Sequence, residues 1–183
     1  MGQVVSSMSG CRLLNGGTFD DRRGSFAKVL SSQLQQTSEI KFKPRELFWS
    51  KSVRGVIRGM HFQLPPYSGS KLVWVSKGLI RDVILDLRTK SGTFGNCLVN
   101  EMDESLGGLY IPAGCAHGFE VLSDIAIVNY AQEVDYFPAF DTGIAWNSFN
   151  FDWKSTPPIM SERDLKLPAF SDFESPFSDE TTP

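Results

Sequence analysis

Histidine and cysteine are the scarce residues of this 183-residue chain, present in two and three copies. The cysteines (Cys11, Cys97, Cys115) are odd in number, widely spaced and without a CxxC pair. That pattern speaks against a disulfide framework and a thiolate zinc site, and fits a reducing cytoplasm. The histidines, His61 and His117, form no His-x-His pair, because Gly59 and Gln63 stand two residues either side of His61. They do not make a His-rich metal centre unless carboxylates join them from elsewhere, so no metal and no cofactor is expected. Long apolar runs are missing, and none approaches the roughly 20 residues of a membrane span. Met1 to Leu14 lacks the charged start and apolar stretch of a secretory signal. Positive charge is not in excess, with 18 Lys and Arg against 21 Asp and Glu. A net charge of −3 excludes holding nucleic acid by bulk charge. Walker and GxGxxG loops are absent, so a bound phosphate would meet side chains such as Arg22, Arg23, Arg58 or Lys71. The expectation is a cytoplasmic protein with neither nucleic-acid nor membrane partners.

What the chain does have is aromatic residues, 14 of them Phe, with 16 Gly and 10 Pro to turn it. Helical periodicity is confined to Ser31–Ser38, short and polar enough for a surface turn or two. From Phe48 onward, short runs rich in Val, Ile and aromatics recur between turn residues, among them 71–76, 79–87, 96–101, 109–111, 118–122 and 126–131. This spacing predicts an all-β fold, an antiparallel sandwich or barrel with short peripheral helices. Lys77-Gly78 reads as a two-residue hairpin turn. One domain is expected over residues 1–170. An acidic, Ser- and Pro-rich tail follows over 171–183, with Phe173 and Phe177 available to dock it.

Both histidines sit beside glycine at strand-turn boundaries, in Arg58-Gly59-Met60-His61-Phe62-Gln63 and Pro112-Ala113-Gly114-Cys115-Ala116-His117-Gly118-Phe119. Glycine there admits a ligand or a neighbouring backbone closely, and equally it simply turns a strand. Lys71 opens a strongly apolar strand, where it either marks the strand end or points into a cavity. Asp82 and Asp86 share one face of a strand, one suited to supporting a site and the other to solvent. Arg58 and His61, three residues apart, face opposite sides of a regular strand. They reach one site only if Gly59 allows a bulge or the strand ends.

Taken in order, these segments resemble a known family. Arg58-Gly59-Met60-His61-Phe62-Gln63-Leu64-Pro65-Pro66, Lys71-Leu72-Val73, Asp82 to Arg88, Thr93-Phe94-Gly95, Ile111 to Phe119 and Ser161-Glu162-Arg163-Asp164 are similar to the motifs of dTDP-4-dehydrorhamnose 3,5-epimerases. The resemblance spans about Phe19 to Leu167. It implies a double-sheet jelly roll of the cupin type, metal-free, a homodimer with strand exchange. The implied substrate is a nucleotide-diphosphate 4-keto-6-deoxy sugar. A 4-ketone acidifies the hydrogens on C3 and C5, so a base on one face and an acid on the other invert either carbon through an enolate. Carried over, His61 is the base, Asp164 its partner, Tyr130 the proton donor and Lys71 the enolate-stabilising cation. Arg58 and His117 contact sugar or phosphate, Arg23 reaches phosphate across the dimer, and Tyr136 stacks on the base. Lys28, Glu46, Gln63 and Asp141 complete the substrate contacts.

Two departures bear on the nucleotide. Glu46-Leu47-Phe48 stands where the family usually has Gln-Asp-Asn, and Lys28 where it commonly has Glu. An ammonium only donates, so Lys28 argues against thymine and leaves cytosine or guanine, unless these loops drifted while dTDP binding survived. Two other readings compete: a 3,4-ketoisomerase on a related barrel, and a sugar-nucleotide-binding module without catalysis.

Overall fold

Residues that alternate in polarity bury one strand face, and two such faces make a sandwich. The computed structural model describes residues 3–178. Its strands are β1 (Val4–Val5), β2 (Arg12–Leu14), β3 (Thr18–Asp21), β4 (Gly24–Ala27), β5 (Glu46–Val53), β6 (Ile57–Gln63) and β7 (Lys71–Lys77). They continue with β8 (Ile80–Asp86), β9 (Cys97–Met102), β10 (Gly108–Ile111), β11 (Cys115–Val121), β12 (Ile125–Gln132) and β13 (Asp141–Gly143). Six strands form one sheet in the order β1-β9-β8-β11-β6-β13, and five form the other in the order β2-β10-β7-β12-β5. The β3–β4 hairpin stands apart as its own two-stranded ribbon. This is the jelly roll that the sequence leads one to expect, and the one α-helix among the described residues, α1 (Ser32–Thr37), is short and capped by the Ser31 hydroxyl.

Between the sheets, Val73, Val75, Ile84, Phe119 and Val128 pack into the main core. The six-stranded sheet is covered on its other face as well, by Ile144, Trp153 and Phe177 against Met60, Phe62, Val83 and Leu85. Covered on both faces, β11 is buried along its whole length. The segment read as a tail is part of this cover as far as it is described. Phe173 and Phe177 meet the Phe62 ring at centroid distances of 5.2 and 5.8 Å. Residues 179–183 of that segment lie outside the described residues.

Two sequence expectations are corrected. Lys77-Gly78 does not close a hairpin, because β7 and β8 lie in different sheets. Gly78 takes φ +85° at a corner between them, where a Cβ would run into the Ile125 carbonyl. Nor is either aspartate of β8 solvated. Asp82 and Asp86 are both fully buried on the inward face, and Asp86 is held by Arg88 at 2.8 Å and by the hydroxyls of Ser91 and Thr93.

Candidate active site

The parity conflict between Arg58 and His61 is resolved by a bulge. Across β6 and β11, His61 faces His117 and Arg58 faces Phe119, so Gly59 and Met60 together oppose Gly118. Gly59 sits at φ +136°, and a Cβ there would lie 2.5 Å from the Gly118 Cα. Only glycine at both positions lets the backbones approach this closely. The extra residue returns Arg58 and His61 to the same face, while Ile57, Met60 and Phe62 pack in the core on the opposite side.

That face lines a cavity of about 430 Å³ between the two sheets. Arg58, His61 and His117 enter from the six-stranded sheet. Glu46, Lys71 and Tyr130 enter from the five-stranded one; Asp141 joins from β13 of the six-stranded sheet, and Tyr136 and Arg163 add to the lining from loops. His61 and Tyr130 therefore stand on opposite walls of a single cavity.

His61 Nε2 lies 2.8 Å from Asp164 Oδ1, in a carboxylate that also accepts the Gly59 N–H. Burial pushes the Asp164 carboxyl up, but the His61 hydrogen bond and charge, the Gly59 N–H and Ser161 outweigh it and hold it below its usual range. With Nε2–H given to Asp164, Nδ1 is the nitrogen left basic. His117 repeats the pattern on the neighbouring strand, with Nε2 at 2.6 Å from the buried Asp82. The Tyr130 ring stacks on Phe48 (4.6 Å, 13°) and meets His117 edge-on at 6.2 Å, so its position is fixed from two sides. Burial pushes its hydroxyl up, with Asp82 adding to the rise and Ser50 and Arg58 opposing it; at neutral pH it is a phenol, able to donate.

Lys71 Nζ donates to the His61 carbonyl at 3.2 Å. Burial brings its ammonium down to about 8, against the pull of Asp141, Cys115 and Asp82. The ammonium is thus mostly charged at pH 7 and neutral above pH 9. If it stabilises an oxyanion, kcat/KM is expected to fall as pH rises through about 8. In Lys71→Met that alkaline limb should vanish, with activity lowered about a hundredfold throughout. An unchanged pH profile in the variant would remove Lys71 from that role.

The other sequence candidates divide. Gln63 lies outside this cavity; its amide binds the carbonyls of Tyr67 and Asp135 and the Phe137 N–H, which positions the loop carrying Tyr136. Asp141 pairs with Arg163 at 2.6 Å, a cavity residue that the Ser161-Glu162-Arg163-Asp164 motif contains but does not mark. Phe48 was missed too, since nothing in a strand sequence says which aromatic will stack on a reactive one. Arg23 and Lys28 do not line the cavity of their own chain. Arg23 lies at the tip of the exposed β3–β4 hairpin, paired with Asp21. Among the described residues, no group of three or more His, Cys, Asp or Glu is placed to hold a metal ion.

Comparison with known proteins places this arrangement. A family model described as dTDP-4-dehydrorhamnose 3,5-epimerase matches residues 6–172. The enzyme of that name from Methanothermobacter thermautotrophicus is 38% identical over 167 residues, 88% of this chain and 90% of the relative. The Bacillus anthracis dTDP-4-dehydrorhamnose 3,5-epimerase, solved with TDP and PPi bound, has a TM-score of 0.84 at 34% identity, covering 87% of this chain and 94% of its own. ChmJ, a 3′-monoepimerase from Streptomyces bikiniensis in complex with dTDP-quinovose, has a TM-score of 0.83 at 26% identity, covering 93% and 88%. With the match running through both sheets and the cavity between them, this chain belongs to the dTDP-4-dehydrorhamnose 3,5-epimerase family.

Proposed function

We propose that the protein inverts C3, C5 or both in a nucleotide-diphosphate 4-keto-6-deoxy sugar. The observation that carries this reading is the His61–Asp164 pair facing Tyr130 across one cavity. His61 takes the proton from the carbon beside the ketone, the C–H electron pair forms a double bond to C4, and the C4=O π pair moves onto the oxygen. Lys71 meets the resulting enolate oxygen, while Asp164 stabilises the imidazolium without taking its proton. Tyr130 then delivers a proton to the opposite face, and the enolate collapses to the inverted ketone. The phenolate is reprotonated and the imidazolium deprotonated through solvent, which resets the site. The test is incubation with dTDP-, CDP- and GDP-linked 4-keto sugars in heavy water, followed by NMR. Deuterium at C3 or C5 with inversion is expected. A carbonyl displaced to C3 would favour the ketoisomerase, and no exchange with any substrate would favour a binding module.

The reading includes a homodimer. Among the described residues, β5 ends the five-stranded sheet with one edge unpaired and with Leu47, Trp49 and Val53 more than half exposed. Phe19 and Phe26 on the β3–β4 hairpin are about as exposed, an unusual display of apolar surface for a monomer. Strand exchange through these elements would cover both and carry Arg23 toward the partner's cavity. Light scattering is expected to give twice the chain mass, and Trp49→Asp to give the monomer; a monomeric wild type would end the dimer proposal.

A further inference from the structure

A buried proton donor has to carry the negative charge it leaves behind. When Tyr130 gives up its proton, the phenolate stands out of water, and burial opposes that charge. A hydroxyl that turned its O–H toward the new oxyanion would offset this cost at the step where it arises. Ser50 is placed to do so. In the β5–β12 ladder Phe48 lies directly opposite Tyr130, and Ser50, two residues along, lies opposite Val128. Phe48, Ser50 and Tyr130 therefore share the face that lines the cavity, with Ser50 the diagonal neighbour of Tyr130. Ser50 Oγ is buried and makes no hydrogen bond among the described residues. Ser52, the next residue on that face, has its hydroxyl oxygen taken by the Arg58 guanidinium at 2.9 Å. Against burial, which pushes the Tyr130 hydroxyl up, Ser50 and Arg58 pull it down, so Ser50 is near enough to act without a closed hydrogen bond. A buried hydroxyl left without a partner is unfavourable unless the partner arrives during the reaction.

We infer that Ser50 is a positioning residue for proton delivery, its hydroxyl donating a hydrogen bond to the Tyr130 oxygen as that oxygen becomes a phenolate. The proton that reaches carbon is the phenol's. The enolate double bond supplies the electron pair that binds it, the phenol O–H pair stays on Tyr130, and the serine keeps its own proton. Because the contact strengthens only as charge develops, it speeds reprotonation without tightening the substrate complex. The inference rests on the reading of Tyr130 as the proton donor.

The experiment compares the full chain with Ser50→Ala, Tyr130→Phe and the double variant in heavy water. Each is given dTDP-, CDP- and GDP-linked 4-keto-6-deoxy sugars, and NMR reads deuterium uptake and inversion separately. Ser50→Ala should keep deuterium uptake and KM within about twofold of wild type, while inverted product falls by about tenfold to a hundredfold, the scale of one hydrogen bond to a charged oxygen. Ser50→Thr, which keeps the hydroxyl, should restore inversion to within about threefold. In the Tyr130→Phe background Ser50→Ala should change residual inversion by less than about twofold, because no phenolate forms there. The alanine variant should also melt at or above the wild-type temperature, since it removes a buried hydroxyl that has no partner. Undiminished inversion in Ser50→Ala, a parallel fall of exchange and inversion, or a full further loss in the double variant would overturn the inference and leave Tyr130 as donor. Wild-type inversion in Tyr130→Phe, or no turnover of any substrate by wild type, would instead remove the donor reading and the inference with it.

Discussion

Turnover is expected to fall by about a thousandfold or more when His61 is replaced by alanine or by asparagine, the range of a general base that abstracts from carbon. The two variants separate chemistry from structure. Alanine removes the partner of the buried Asp164 carboxylate, which keeps the Gly59 N–H but loses its strongest donor. Asparagine can still donate to Asp164 and cannot accept a proton from carbon. If the fold is indifferent to His61, both variants melt cooperatively near the wild-type temperature by circular dichroism. Deuterium uptake at C3 and C5 should be lost in both. More than a tenth of wild-type exchange in His61→Asn would mean that another group takes the proton, with His117 on the neighbouring strand the first to consider.

The second large effect is on inversion rather than on exchange. Tyr130→Phe keeps the ring stacked on Phe48 and edge-on to His117, and removes only the hydroxyl. His61 and Lys71 are untouched, so the proton is still abstracted and the enolate still formed. Without a donor on the far wall, the proton returns mainly from the face it left. The expected result is continued deuterium uptake with retained configuration, while inverted product drops by about a hundred- to a thousandfold. Measuring both by NMR on one sample gives the ratio directly. Loss of exchange in parallel with inversion would place Tyr130 in substrate binding or in the abstraction step, and undiminished inversion would remove it from the mechanism.

Both experiments depend on how the strands bring the walls together. His61 and Tyr130 belong to strands in different sheets, 69 positions apart in the chain. Asp164 comes from further still, at the start of a 3-10 turn that packs against β6 and closes on His61 from outside both sheets. A pair so distant in sequence is legible only through a motif that has been met before. The sandwich itself was legible for an ordinary reason. Val, Ile and aromatic residues recur every few positions along β7, β8 and β12, and side chains pointing alternately to two faces demand a second layer.

By itself, then, the sequence determined the class of fold and most of its central strands, and through motifs in a family-like order it singled out His61, Asp164, Tyr130 and Lys71 as candidates. These are properties of local pattern, which survives reading one strand at a time. The tertiary structure decided what depends on crossings. It set which sheet follows Lys77-Gly78, put both β8 aspartates out of water, and used the bulge at Gly59 to turn Arg58 to the side of His61. It also lined the cavity with Glu46 and left Lys28 outside it. The physical reason is that a strand's pattern fixes only which residues share a face. What that face meets depends on pairing with segments far along the chain, as β6 pairs with β11 and β5 with β12.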